Sequence, residues 1–209
     1  MKGEQITCFG VTQRPQRAKI EKNYQTMCGM VGAANVAQEE RSENDFYSTD
    51  PIAAEYLMQL EDLDHNIWEC ACGQGNLSKK FEEGGYNVRS TDLIDRGYGE
   101  GGVDFLSQTA KFDGDIITNP PFKLAEKFIT HALELIPEGN KVCMFLKLQF
   151  LEGCNRKIMF KKYPPKVVYV SSSRISCSTN GVYKASMIAY AWYVWEKGYT
   201  GETILKWFN

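Results

Sequence analysis

Apolar residues recur at regular spacing only from about Asp45 onward. Before that point, Gln13-Arg14-Pro15-Gln16 and the small-residue stretch 29–37 keep neither a helical nor a strand period, which predicts a flexible arm over residues 1–45. Beyond it, Ile52, Ala53, Tyr56, Leu57 and Leu60 share one face of a helix that Thr49 or Asp50 can cap, with Pro51 in its first turn and an end near Asp62. Residues 67–71 then read as a short strand, 73–75 as a tight turn, 77–83 as a helix stopped by Gly84-Gly85, and 86–91 as a second strand. A glycine-rich loop and a brief apolar segment at 103–106 lead to an apolar strand at 114–118. A helix over 123–136 follows, ending at Pro137, with Leu124, Phe128, Ala132 and Leu135 on its apolar side.

The remaining pattern predicts a strand at 141–148, a basic helix over 152–163 broken by Pro164-Pro165, a strand at 167–171, a long apolar strand at 187–195 and a last edge at 203–208. Strands alternating with helices imply one α/β domain over residues 46–209, with a mostly parallel sheet covered by helices on both faces. A chain of 209 residues, 43% apolar and 24% charged, has the means to bury such a core. No apolar run is long enough to cross a bilayer and the polar start has no signal-peptide architecture, so a cytoplasmic protein with no membrane partner is expected.

Seven scattered cysteines without a C-x-x-C pair, and only two histidines, give no expectation of a metal site or a disulfide framework. The net charge of −2 conceals an asymmetry. Acids dominate residues 39–69. Between 141 and 174, Lys141, Lys147, Arg156, Lys157, Lys161, Lys162, Lys166 and Arg174 are opposed only by Glu152. A face for a polyanion, carried by Lys147, Arg156, Lys157, Lys161, Lys162 and Arg174, is one reading, and a solvated helix face is the other.

Two constellations carry candidate chemistry. In the first, Trp68-Glu69-Cys70-Ala71-Cys72-Gly73-Gln74-Gly75 runs from a strand through a glycine turn into a helix. Glycines let the backbone approach a ligand and leave helix N–H groups facing it. Alone, the turn suits several nucleotide-like cofactors or a purely structural role. Asp92, at the end of the next strand, stands where an acid can accept bonds from two ribose hydroxyls, a loop-capping aspartate being the other reading. The second is Asp115-Ile116-Ile117-Thr118-Asn119-Pro120-Pro121-Phe122. Two prolines fix the backbone and donate no hydrogen bond, so the acceptors around Asn119 and Pro120 have a rigid direction. An aryl amine whose N–H groups are held by the Asn119 side-chain oxygen and the Pro120 carbonyl has its lone pair localised for attack, and the developing charge meets preorganised dipoles. Phe122 can stack on a flipped base.

With these residues the chain resembles the amino-methyltransferase branch of the Rossmann-like class I methyltransferases, in particular small phage-type DNA adenine-N6 methyltransferases. The resemblance covers about residues 46–195. Asn119-Pro120-Pro121-Phe122 matches the family's catalytic tetrapeptide, and residues 69–75 match its cofactor loop, with Glu69 where Asp is usual and Cys70 where Pro is usual. It implies S-adenosylmethionine as cofactor, double-stranded DNA with a flipped base as substrate, and a late antiparallel strand in the sheet. It further implies that the segment Phe46-Tyr47-Ser48-Thr49-Asp50-Pro51, with Tyr47 and Thr49, packs over the cofactor's methionine end. Glu69, Ala71, Gly73, Gly75 and Asp92 would shape the rest of that site, and Asp104-Phe105 would flank its adenine.

A separate target-recognition domain is not expected, which leaves recognition to the arm, the basic segment 149–166 or the loop 171–185. The same tetrapeptide chemistry also serves RNA adenine and guanine amines and protein glutamine, whereas the resemblance associates cytosine N4 more with Ser-Pro-Pro; a non-catalytic binding module of the same fold is a further alternative. A NAD-dependent oxidoreductase leaves the proline pair without a purpose and calls for G-x-G-x-x-G, where this chain has Gly73-x-Gly75.

Overall fold

The computed structural model describes residues 48–175, 177–178 and 188–209; the expected arm over residues 1–45, Tyr47 and most of the 171–185 loop lie outside the described residues. Nine strands are seen there. They are β1 (Ser48–Thr49), β2 (Asn66–Glu69), β3 (Asn87–Ser90), β4 (Asp115–Thr118), β5 (Lys141–Lys147), β6 (Val167–Ser171), β7 (Cys177–Ser178), β8 (Tyr190–Glu196) and β9 (Ile204–Phe208). The described α-helices are α1 (Ile52–Leu60), α2 (Asn76–Glu83), α3 (Ala125–Leu135) and α4 (Cys154–Lys162).

Seven strands form one sheet in the order β3-β2-β4-β5-β8-β6-β9, while β1 and β7 pair separately as a two-stranded antiparallel ribbon. Within the large sheet β8 alone runs against its neighbours, in register with β5 from Lys141↔Glu196 to Lys147↔Tyr190 and with β6 from Val167↔Val194 to Val170↔Ala191. This is the mostly parallel sheet with a late antiparallel strand that the residue pattern and the resemblance imply.

Side chains alternate across a strand, so each strand feeds two cores. Ile116, Val142, Met144, Tyr193 and Trp195 pack with Phe128, Ile129 and Ala132 of α3 and Met159 of α4. On the other face Ile117, Cys143, Phe145, Trp192 and Val194 pack with Ala53, Ala54 and Leu57 of α1 and Leu77 and Phe81 of α2. Because β5 and β8 are buried on both faces, they read as continuous apolar runs rather than alternating ones. Helix α1 starts behind Pro51, with the Asp50 carboxylate accepting from Ile52 N at 3.1 Å, and its Ala53 carbonyl accepts from Trp192 Nε1 at 2.8 Å.

A polar network closes the amino end of the sheet. Asp115 accepts from Asp64 N at 2.8 Å and Lys141 N at 2.7 Å. Lys141 Nζ pairs with Glu61 at 2.9 Å, both side chains being about nine-tenths buried, and Tyr169 OH donates to the same carboxylate at 2.7 Å. Removing one partner of such a pair leaves the other charge stranded. Lys141→Met is therefore expected to lower unfolding stability by about 2 kcal/mol, between surface and fully buried values, read from urea denaturation; a loss below about 0.5 kcal/mol sinks the idea. Among the described residues no helix is long and apolar enough to cross a membrane.

Candidate active site at the carboxyl ends of the strands

The chain leaves β2 for β3 on one side, while β4 lies on the other. Such a reversal opens a crevice outside the carboxyl ends of the strands, and here the loops after β2, β3 and β4 converge on it. Gly73 (φ 57°) and Gly75 (φ 77°) give the first loop its left-handed turns. At Gly75 a side chain is also excluded by the Tyr98 ring, 2.2 Å from where a Cβ would sit.

Asp92 joins the first two loops. Its Oδ2 accepts from Gly73 N at 2.8 Å and its Oδ1 from Ile94 N at 2.9 Å. Glu69, only 2% exposed, accepts from Ser78 N at 2.8 Å and from the Ser78 hydroxyl, which ties the end of β2 to the first turn of α2. Burial pushes the Glu69 carboxyl up to about 8, against the pull of its Ser78 bonds and with help from the charge of Asp92.

An acid whose folded-state pKa is raised favours folding while protonated, so its contribution is full below the unfolded value near 4.5 and is lost as pH rises towards 8. Between pH 5.5 and 7 the native chain is expected to lose about 2 kcal/mol relative to Glu69→Gln. Parallel pH–stability curves for the two proteins would remove Glu69 from the account.

The third loop is the Asn119-Pro120-Pro121-Phe122 segment. It leaves the buried Thr118 at the end of β4 and turns through a short 3-10 segment, Phe122–Leu124, into α3. Asn119 Nδ2 donates to Thr49 Oγ1 at 2.8 Å, across 70 residues of sequence. Thr49 is held in turn by its pairing with Cys177 and by Asn76 Nδ2, which donates to the Thr49 carbonyl at 3.1 Å and to Ser48 Oγ at 2.6 Å.

Thr49, Glu69, Ala71, Asp92, Asp104, Phe105 and all four residues of the tetrapeptide line one cleft. Gly73 and Gly75 shape it by their backbone, and Tyr47 falls outside the described residues. Two of these residues have structural duties as well. Asp104 Oδ1 accepts from Leu106 N at 3.0 Å, starting a 3-10 turn. Phe105 is 2% exposed, wedged between Trp68 (5.3 Å) and Phe128 (4.9 Å), so it meets the cleft from inside the core.

The cleft also has walls that the sequence pattern left unassigned: Asn76, Leu93, Ile94, Arg96 and Val103. Leu93 is 59% exposed and Ile94 36%. An exposed apolar pair directly after Asp92, in an otherwise polar glycine-rich loop, was the available signal.

The basic residues do not form one cluster. Helix α4 returns from the carboxyl end of β5 towards the start of β6, so Lys147, Arg156 and Lys157 sit near the cleft end of the sheet. Lys161 and Lys162 lie in the last turn of α4, where they complement the helix dipole. Arg156 is engaged locally, by Glu126 at 3.8 Å and by the Glu152 carbonyl, and Arg174 is exposed.

No protein-family model matches the chain, and no curated protein matches it in sequence. Solved structures do share its architecture. A candidate class I S-adenosylmethionine-dependent methyltransferase from Listeria monocytogenes aligns with a TM-score of 0.55 at 14% identity, over 87% of this chain and 69% of that one. A candidate RNA methyltransferase from Pyrococcus horikoshii gives 0.57 at 14% identity, over 84% and 98%. The modification subunit of a candidate type I restriction enzyme from Vibrio vulnificus gives 0.54 at 14% identity over 86% of this chain, which spans about half of that subunit, 49%. With the seven-stranded mixed sheet and its flanking helices, these likenesses establish the fold of the chain as that of the Rossmann-like class I methyltransferases.

Proposed function

We propose that the chain is an S-adenosylmethionine-dependent methyltransferase that modifies adenine N6 in double-stranded DNA, with the target base flipped into the cleft. The observation that carries this reading is that Asn119-Pro120-Pro121-Phe122 and the Glu69–Asp92 pair of loops border the same cleft. A nucleotide-binding crevice alone fits many cofactors; a rigid pair of amine acceptors beside it does not.

The residues present fit the cofactor. Beyond its two backbone bonds, each Asp92 oxygen keeps a lone pair for a ribose hydroxyl. Leu93, Ile94 and Val103 offer apolar surface to a purine, and a cationic group beside Glu69 would draw its raised carboxyl back to the carboxylate form. When bound, S-adenosylmethionine supplies an electrophilic methyl group on a sulfonium.

The chain's own contribution is orientation. The Thr49 hydroxyl takes up the amide nitrogen of Asn119, which makes Oδ1 the acceptor end of that side chain. Oδ1 and the Pro120 carbonyl accept the two N–H groups of the adenine amine, directing its lone pair out of the ring plane. Pro120 and Pro121 keep these acceptors from relaxing, and Phe122 receives the base. As positive charge grows on the nitrogen, the two dipoles are already aligned with it. No carboxylate base is needed, because the methylated nitrogen is acidic enough to lose its proton to water. Lys147, Lys157 and Arg174 supply cations for the DNA backbone on the cleft side.

The test is to incubate the protein with tritiated S-adenosylmethionine and, separately, unmethylated double-stranded DNA, total RNA and a protein extract, then digest the labelled product. N6-methyladenine from DNA is expected. Label confined to RNA or to glutamine replaces the substrate and keeps the chemistry. Cofactor binding without transfer to any of the three overturns the enzymatic reading.

A further inference from the structure

The two edges of the seven-stranded sheet are unlike. At one end β3 shows Asn87 and Arg89 to water, with the Arg89 guanidinium over the Trp68 ring at 4.2 Å. Polar and charged side chains of this kind blunt an edge. At the other end β9 reads Ile-Leu-Lys-Trp-Phe, and Ile204, Leu205 and Trp207 are 51%, 41% and 69% exposed. Of the four tryptophans Trp207 is the exposed one, since Trp68, Trp192 and Trp195 are buried. Among the described residues no strand pairs with the outer side of β9.

The backbone there is set to receive one. Ile204 N donates to the Lys166 carbonyl at 3.1 Å, and the Phe208 carbonyl accepts from Ser172 N at 3.0 Å, so residues 204, 206 and 208 direct their backbone groups at β6. In a parallel pair the alternate residues face the other way. The N–H and C=O groups of Leu205 and Trp207 therefore point outward.

We propose that this edge is an interface between two copies of the chain, which pair antiparallel through β9 about a two-fold axis. Such an axis sets one residue opposite its own counterpart and the flanking residues opposite each other, and charge selects the register. Centred on Lys206, the pairing opposes two lysines. Centred on Leu205, it leaves Lys206 opposite Ile204 and Glu202 opposite Phe208. Centred on Ile204, it sets the exposed Glu202 of each copy opposite the exposed Lys206 of the other, and Thr203 opposite Leu205 in a hydrogen-bonded pair. Lys206, which alone guards an edge, is matched in this register. Trp207 loses water on the same face as Leu205.

A contact this short suits a dissociable dimer, expected to form between about 1 and 100 µM. The full chain is followed across that range by analytical ultracentrifugation and by acrylamide quenching of tryptophan fluorescence, which reads Trp207. The mass is expected to double from 23.7 kDa while quenching falls about twofold or more. Leu205→Pro removes an outward N–H and leaves the bonds to β6, and it is expected to abolish the dimer. Glu202→Lys and Lys206→Glu, both on exposed side chains, should each weaken self-association about tenfold, because two cross-strand pairs turn repulsive at once. The double reversal restores it. A native protein that stays monomeric overturns the proposal, including one whose Trp207 is shielded at every concentration by residues of its own chain. So does a dimer that survives Leu205→Pro, or a double reversal that restores nothing.

Discussion

Replacing Asn119 by alanine is expected to lower methyl transfer by about a thousandfold at saturating cofactor, while the dissociation constant for S-adenosylmethionine changes by no more than about threefold. The size is the upper end of what removal of one preorganised polar group costs in an active site. Two losses combine in this substitution. One acceptor of the adenine amine disappears, and so does the Nδ2 bond that ties the tetrapeptide to Thr49. Thr49→Val separates them, because it keeps the amide and removes its anchor; its rate should fall between those of the native and Asn119→Ala proteins. Single-turnover transfer and calorimetric titration of the cofactor are the two measurements. Preserved turnover with weakened cofactor binding in Asn119→Ala would move the residue from the reacting amine to the cofactor.

Asp92→Ala should act in the opposite order, weakening S-adenosylmethionine about a hundredfold before it affects the rate at saturation. Its carboxylate accepts from two backbone N–H groups in two different loops, Gly73 and Ile94, and charge-assisted bonds of this kind are the stronger ones. Truncation removes the proposed ribose contacts and also releases the loops that hold the cofactor. Unfolding stability is therefore expected to fall as well, by about 1–2 kcal/mol. The affinity loss is read by titration calorimetry and the stability loss by urea. Unchanged affinity would take Asp92 out of the site whatever happens to stability.

Much of this was legible in the sequence, for identifiable reasons. Residues such as Val142 to Leu146 and Ala191 to Trp195 are buried on both faces, so their strands announce themselves as unbroken apolar runs. Proline pairs and glycines mark where elements stop, and the observed limits of α1, α2 and β6 fall within a residue or two of the pattern. The ribbon of β1 and β7 was not legible, because two-residue strands have no period and their partners lie more than a hundred residues apart.

The contacts that orient the candidate chemistry were hidden for the same reason. Thr49 reads as a helix cap from its neighbours, and only the fold brings its hydroxyl to Asn119. Charge was the least transparent signal. A run of lysines records position along the chain, whereas pairing of Lys141 with Glu61, at the end of α1, and of Lys166 with Glu196 depends on which elements pack together. The direction of α4 then divides the remaining cations between two ends of the sheet.

The central place of β8 bears on how the molecule is made. It separates β5 from β6, yet it follows both in the chain, and its partners along β5 lie about fifty residues earlier. Until β8 inserts, the sheet is two halves with facing open edges, and the bare edge of β5 is Val142 to Leu146, without a charge among them. Closure of loops this long favours slow assembly, on the scale of milliseconds to seconds. The hazard in the life of the chain therefore falls between the synthesis of β5 and that of β8, when the uncharged β5 edge awaits a strand that another copy could supply in its place.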